Sequence, residues 1–371
     1  MSGIAKALAD LRQIIDGIAE DLSTWPAYGP RLIDEIEAIT SVLMAIVCAP
    51  IVGAHNGGWA AFSGYMVMRS HVKESFRRGA LRVAGTAVGA ALAWGLSTLT
   101  VDSPCVSSAV LAMVGFITLY FALGSRQSYA WLFAGLTFSM VVIDSIQHLG
   151  GTVGNFAWSR FIEVLTGTCV CVFVSAVSTQ TVRRRLLPPP SIAASKLVQT
   201  QRGQYGPAAQ HALQGAIALA MIPWMWRWFG IQSLSQSSIT IMAVMMVPLA
   251  SLTALRHPTS EKLIYRFMGC CVGGLFATLI LITSHDSAYL MTIGVCAGVA
   301  IGRHIENGKS EVGYIGTQFA LAFLVVLVPD SYRSVDIGPG LDRLFGIVFG
   351  MLLLEPVRLV WRRAANSFKR E

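Results

Sequence analysis

Long apolar runs recur down the whole of this 371-residue chain, and they leave few folds open. They lie near residues 36–54, 57–69, 79–98, 105–124, 127–147, 160–182, 208–228, 236–254, 263–283, 287–302, 312–329 and 341–360. At about 1.5 Å per helical residue, some twenty residues cross a hydrocarbon core of about 30 Å. Backbone amides find no water there, so such runs must be helices or pack within helices. Charged residues make up 13% of the chain, against roughly 25% in soluble domains. That figure and the 54% hydrophobic content exclude disorder, while scattered Gly and Pro and only 7 Cys exclude collagen and a disulfide-rich secreted scaffold. The expected fold is an all-α, polytopic membrane helix bundle with twelve crossings, or ten if the shorter segments only dip in. The run at 57–69 is short and opens with Gly57-Gly58, which marks it as tilted, broken or re-entrant.

Charge placement supports twelve. With the N-terminus inside, only Arg160, Arg227, Arg333 and Arg343 of the 28 Lys and Arg residues fall on outer segments. The clusters Lys73-Arg77-Arg78-Arg82, Arg183-Arg184-Arg185 and Arg358-Arg362-Arg363-Lys369-Arg370 share one side, the positive-inside bias, which puts both termini in the cytoplasm. The net charge of +8 is therefore a topology signal; the implied partner is the lipid bilayer, with no nucleic acid. Residues 1–24 have no continuous apolar core and are not a signal peptide. Ile4, Leu8, Leu11, Ile15, Ile18 and Leu22 instead trace the seam of an amphipathic cytoplasmic helix. That helix packs on its own bundle or on a second copy in a homo-oligomer; a frayed amphipathic cap is the other reading.

The chain also repeats itself. Arg82, Gly85 and Gly89 in the third run match Arg266, Gly269 and Gly273 in the ninth. Tyr129, Ala134 and Phe138 match Tyr314, Phe319 and Phe323, and Arg160, Glu163 and Gly167 match Arg343, Gly346 and Gly350. Three pairs in the same order at a nearly constant offset argue duplication. An even number of crossings per half makes the repeats parallel. The expected domains are the N-terminal helix 1–24, a first membrane half 25–182, a cytoplasmic linker 183–207 containing Pro188-Pro189-Pro190, and a second half 208–371 with a short basic tail. Gly85/Gly89, Gly269/Gly273, Gly294/Gly298/Gly302 and Gly346/Gly350 supply small-residue faces that let helices approach closely in lipid. The arginines of the repeat, at the helix ends, are expected to snorkel to headgroups.

Gly58-Trp59, the stretch from Arg78-Gly79 through Arg82 to Gly89, Tyr129 to Phe138, and Arg160 to Gly167 with Glu163 between them resemble the fusaric-acid-resistance family of aromatic acid exporters. The second half repeats the pattern from Arg266 to Gly274. The resemblance implies efflux of small organic, chiefly aromatic carboxylic, acids across a bacterial inner membrane, in some members with a periplasmic adaptor protein and an outer-membrane channel. The departure is that many members carry a large cytoplasmic domain, where this chain has only a short linker and tail. A passive organic-anion channel, in the manner of the distantly related plant malate channels, is an alternative. A non-transporting membrane scaffold is another.

An ionisable group inside a membrane helix costs roughly 2.5–3.5 kcal/mol on insertion scales and calls for a reason. Glu163 stands where the other copies of the repeat carry Gly, three residues after Arg160 on the same helical face. It reads as a proton-coupling carboxylate or as an interfacial ion pair. Asp144 and His148, four residues apart, read as a proton relay or a solvated pair. His55 and Asn56 precede Gly57-Gly58, whose amides would attract a carboxylate if the second run is a half-helix; otherwise they form a plain turn. Gln214 and Gln318 should face protein or water, either beside an aromatic acid held between the halves or in an ordinary interhelical hydrogen bond. Glu37 and Glu355 read as solvated or paired with nearby Arg. No metalloprotease, Walker or Asp-rich prenyltransferase motif occurs, and the cysteine spacings suit no zinc site. The sequence thus points to no enzyme, no cofactor and no metal.

Overall fold

The structure, a computed structural model, describes residues 3–26, 28–54, 56–100, 103–148, 153–186, 205–252, 258–285, 287–310, 312–328 and 337–368. The helices are α1 (Gly3–Ser23), α2 (Pro30–Ile51), α3 (Gly57–Val67), α4 (Val72–Thr100), α5 (Pro104–Gly124), α6 (Ser128–Gln147) and α7 (Val153–Ser178). A π-helical stretch, Thr179–Arg183, carries α7 into α8 (Arg184–Leu186). Then follow α9 (Tyr205–Ala220), α10 (Ile222–Phe229), α11 (Leu234–Met245), α12 (Leu249–Leu252), α13 (Pro258–Thr283), α14 (Ala288–Glu306), α15 (Gly313–Leu327) and α16 (Gly338–Phe368). No strand occurs among the described residues. The triple-proline part of the linker, Arg333, Lys369 and Arg370 lie outside them.

Every one of the twelve apolar runs falls on a helix or a helix pair. Among the described residues, seven helices are long and apolar enough to cross a membrane: α4, α5, α6, α7 with its π stretch, α13, α14 and α16. The chain is a multi-pass membrane protein. The 57–69 run is the shortest: α3 has 11 residues, about 16 Å of helix, little more than half a bilayer core. It is bounded by chemistry visible in the sequence. The Asn56 side chain accepts a hydrogen bond from the Trp59 backbone N–H at 3.1 Å, and the backbone turns extended at Met68. Replacing Asn56 with Ala should cost about 1 kcal/mol of local stability, seen as roughly fivefold faster amide exchange at Trp59. Proline does similar work elsewhere. Pro223 restarts the chain as α10 just after α9 ends, and α10 closes on Gly230 in the left-handed conformation, φ 62°.

The helices gather into two compact units, each drawing on chain from both sides of the linker. The first holds α1, α2, α3, α7 from Thr166 with its π stretch, α13 from Ile264, α14 and α15. Its core joins Ala38, Val42 and Ile46 of α2 to Ala61 and Tyr65 of α3, Val295 and Val299 of α14, and Phe319, Phe323 and Leu324 of α15. The second holds α4 from Arg77, α5, α6, α7 up to Leu165, α9 to α12, the start of α13, and α16 from Leu341. There α5 and α9 interlock, with Leu219 against Gly115 and Leu119 against Gly215.

Several of the paired glycines lie where two helix backbones approach closely. A Cβ on Gly85 or Gly89 of α4 would run into the carbonyl oxygen of Ala130 or Ala134 of α6. On α13, a Cβ at Gly269 or Gly273 would lie 2.6 Å from the carbonyl oxygen of Ile315 or Phe319 of α15. Gly346 and Gly350 of α16 meet Gln236 and Thr240 of α11 in the same manner. Gly294, Gly298 and Gly302 of α14 lie against Leu327, Phe323 and Ala320 of α15.

The N-terminal seam is placed differently from the expectation. The side chains of Ile4 and Leu8 are outside the described part. Leu11, Ile15 and Leu22 are exposed, while Ile14 is buried against Ile305, Val312 and Ile315, with Ile18 beside them. Asp21 continues that buried stripe. The contact face of α1 thus runs through 14, 18 and 21, a four-three spacing in a neighbouring register of the helix. A buried carboxylate with partners takes the place that a purely apolar seam assigns to Leu22.

Candidate functional site

Glu163 is completely buried in the second unit, and it pairs with side chains of its own helix. Arg160 Nε lies 3.1 Å from Oε2, Arg160 Nη2 donates to Oε1 at 3.3 Å, and Ser159 Oγ donates to Oε1 at 2.7 Å. Spacings of three and four residues put all three side chains on one face, as the sequence implies. The Arg160 guanidinium also lies 5.0 Å from the centroid of the Phe156 ring. A guanidinium and a hydroxyl together supply the donors to this carboxylate that water would supply outside.

The repeat arginines do not snorkel. Arg82, Arg160, Arg266 and Arg343 are all buried. Arg82 sits 4.0 Å from the Phe133 ring centroid and donates to the Tyr129 hydroxyl at 3.4 Å, while Arg78 covers the Tyr129 ring at 4.2 Å. Between α13 and α15 of the first unit, Arg266 Nη1 donates to Gln318 Oε1 at 2.8 Å. A flat, weakly hydrated guanidinium can stack on a ring or fork onto an amide, so burial beside a partner replaces the route to headgroups. Gln318 is thereby in an interhelical hydrogen bond, with Cys270 Sγ 3.7 Å from the same oxygen.

The other sequence candidates are spread out. Gln214 is half-buried on α9. Asp144 and His148 pair at 3.1 Å at the end of α6, with the imidazole largely exposed. Asn56 serves as the cap of α3, and His55 lies outside the described residues. Glu37 and Glu355 are both paired, with Arg183 and Arg358 respectively.

Among the described residues, buried charge is densest around Glu37, the one member of this cluster that the sequence singled out as paired with a nearby Arg. In the first unit, α2 presents Asp34, Glu35 and Glu37, all buried. Arg183, on the π stretch, donates from Nε and Nη2 to Glu37 at 2.7 and 2.8 Å and also pairs with Asp34. Ser178 donates to Glu37, and Ser70 donates to Asp34 at 2.9 Å. Beside them, Glu306 of α14 accepts from the Tyr65 hydroxyl at 2.8 Å and pairs with Arg303 at 3.2 Å and Arg69 at 3.6 Å. Glu35 lies 2.7 Å from His304. The available signal is Arg303-His304-x-Glu306 at the end of one apolar run and Asp34-Glu35-x-Glu37 at the start of another.

Helices α3 and α11 also end on cations. The Met68 carbonyl after α3 receives Arg303 at 3.1 Å and Arg69 at 2.7 Å. After α11, Lys262 donates to the Ala243 carbonyl at 2.9 Å and to that of Met246. Carbonyls released by an unwound helix end carry partial negative charge and attract such groups.

Apolar helices of membrane-crossing length, broken by short ones and lined with paired buried charges, define a polytopic helical membrane protein. Within that class, residues 43–174 match the family model described as fusaric acid resistance protein-like. The matched stretch runs from within α2 to within α7 and bears out the resemblance carried by Gly58-Trp59, Arg82 to Gly89, Tyr129 to Phe138 and Arg160 to Gly167. No curated protein and no solved structure matched the chain.

Proposed function

We propose that the protein exports small organic acids, chiefly aromatic carboxylic acids, across a bacterial inner membrane, with both termini in the cytoplasm. The family match over residues 43–174 carries this reading. Proton movement down its gradient drives export, and Glu163 is the coupling carboxylate, with Arg160 as its counter-ion. Full burial supports that role, because a charge held out of water inside a membrane helix is retained at a cost. The corresponding glycine contacts of α4 with α6 and α13 with α15 support a duplicated architecture, each pair carrying its own buried arginine. Release through a periplasmic adaptor protein, and assembly of several copies, complete the proposal.

Proteoliposomes loaded with fusaric acid or benzoate and given a proton gradient test it. The wild-type protein should move the acid uphill, and Glu163→Gln should abolish uphill movement while leaving the protein folded. Uphill transport by Glu163→Gln at the wild-type rate and pH dependence would remove Glu163 from the mechanism. An anion current with no gradient built by the wild-type protein would make it a channel.

A further inference from the structure

We propose that His304 and Glu35 form a proton-binding clasp that fastens the N-terminal helix α1 to the first unit. His304, on α14, is fully buried. Its Nδ1 lies 2.7 Å from Glu35 Oε1 of α2, and its Nε2 lies 2.9 Å from the backbone carbonyl oxygen of Asp21 of α1. Both ring nitrogens therefore face acceptors, and a neutral imidazole has only one N–H to give. The Thr24 hydroxyl, 3.1 Å from Nε2, has its proton engaged with the same Asp21 carbonyl and accepts from Arg31 Nη1 at 2.8 Å. The arrangement is satisfied by an imidazolium beside a carboxylate, or by a neutral imidazole beside a protonated Glu35. Either way it holds one proton more than neutral histidine beside ionised glutamate.

That proton matters to α1 because few other fastenings occur among the described side chains of the helix. Its described apolar contact is Ile14 with Ile18 against Ile305, Val312 and Ile315. The Asp21 carboxylate accepts from the Lys309 backbone N–H at 2.9 Å and from the Ser310 hydroxyl. Arg31 donates to the His304 carbonyl, and the Trp25 ring stands edge-on to the His304 ring at 5.0 Å. The ionisable groups around the imidazole are Asp21 from α1, Arg31 and Glu35 from α2, Lys309 from the following loop, and Arg303 and Glu306 on its own helix. Arg303 and Glu306 satisfy each other at 3.2 Å, and Asp21 is held by the loop, which leaves Glu35 as the carboxylate paired with the ring. Loss of the shared proton turns one of the two ring contacts into lone pair against lone pair. Docking of α1 is thus linked to proton uptake, tight on the acid side and loosening as pH rises.

Hydrogen exchange of the α1 amides in the full-length protein in detergent, corrected for intrinsic exchange, tests it across about pH 6 to about pH 9. One linked proton loosens docking by up to about tenfold per pH unit, so wild-type protection at residues 14–24 should fall by that slope. Glu35→Gln supplies an amide N–H to Nδ1 and lets neutral His304 donate to Asp21, so α1 stays protected and the slope disappears. His304→Gln cannot serve both acceptors and leaves α1 poorly protected at every pH. Trp25 fluorescence, isolated by subtracting the Trp25→Phe variant, should be quenched on the acid side in the wild type and show no such transition in Glu35→Gln. Flat wild-type protection, or a wild-type slope retained by Glu35→Gln or His304→Gln, overturns the clasp.

Discussion

Replacing Arg183 with Met should destabilise the protein by about 3–5 kcal/mol, the range for removing one partner of a buried ion pair. The expectation rests on what stays behind. Asp34 and Glu37 are 6% and 3% exposed, one turn apart on α2, and Arg183 is the guanidinium that serves both. Without it, two carboxylates face each other with Ser178, Ser70 and Asn307 as the remaining donors among the described residues. Arg183→Lys should recover only part of the loss, because a single ammonium cannot reproduce the fork that spans two carboxylates. The triple variant Asp34→Asn, Glu37→Gln, Arg183→Met should recover most of it, since neutral amides leave no unpaired charge. Thermal unfolding of the purified protein in one detergent measures all three. If Arg183→Met melts with the wild type, the cluster does not hold charge in the way its geometry implies.

That cluster also shows where the sequence stops speaking. Helix identity and the short α3 were legible, because apolar length and the Asn-Gly-Gly break are local signals. So was Arg160 beside Glu163, since a spacing of three on one helix settles the pairing. The partners of Asp34, Glu35 and Glu306 lie on other helices far along the chain. A carboxylate at the start of an apolar run looks the same whether its end meets water or another helix. For the same reason the repeat arginines read as headgroup-seeking until Phe133, Tyr129 and Gln318 are seen beside them. The α1 seam was misplaced by one register because Leu11, Ile15 and Leu22 outweigh Asp21 in any apolar count. In the fold Asp21 is the buried one, held by Ser310 and the Lys309 amide. The paired glycines were legible as packing faces, and they carry the sharpest contrast in the molecule.

Gly273→Leu should prevent the folded protein from accumulating, whereas Gly274→Leu, its neighbour on α13, should be tolerated. A Cβ at Gly273 would lie 2.6 Å from the carbonyl oxygen of Phe319 and 3.0 Å from its Cα, while a Cβ at Gly274 meets nothing within 4 Å. Backbone cannot rotate aside as a side chain can, so α13 and α15 must separate. In lipid, helices associate through close packing and polar contacts, and separation forfeits both. The first loss alone is about 1–3 kcal/mol for an overpacked contact. The second follows from geometry: Arg266, two turns before Gly273, reaches Gln318 at 2.8 Å only because Gly269 and Gly273 let the two backbones touch. Moving α15 away strands a buried guanidinium, which costs more than the packing. The same reasoning applies on α4, where Gly89→Leu strikes the Ala134 carbonyl and pulls Arg82 from Tyr129 and Phe133, while Gly95 faces open space. Fluorescence-detected size-exclusion of the four single leucine variants should therefore separate into two that are lost, Gly89→Leu and Gly273→Leu, and two that run as wild type, Gly95→Leu and Gly274→Leu. Equal behaviour of Gly273→Leu and Gly274→Leu would mean that the α13–α15 approach does not hold the buried arginine in place.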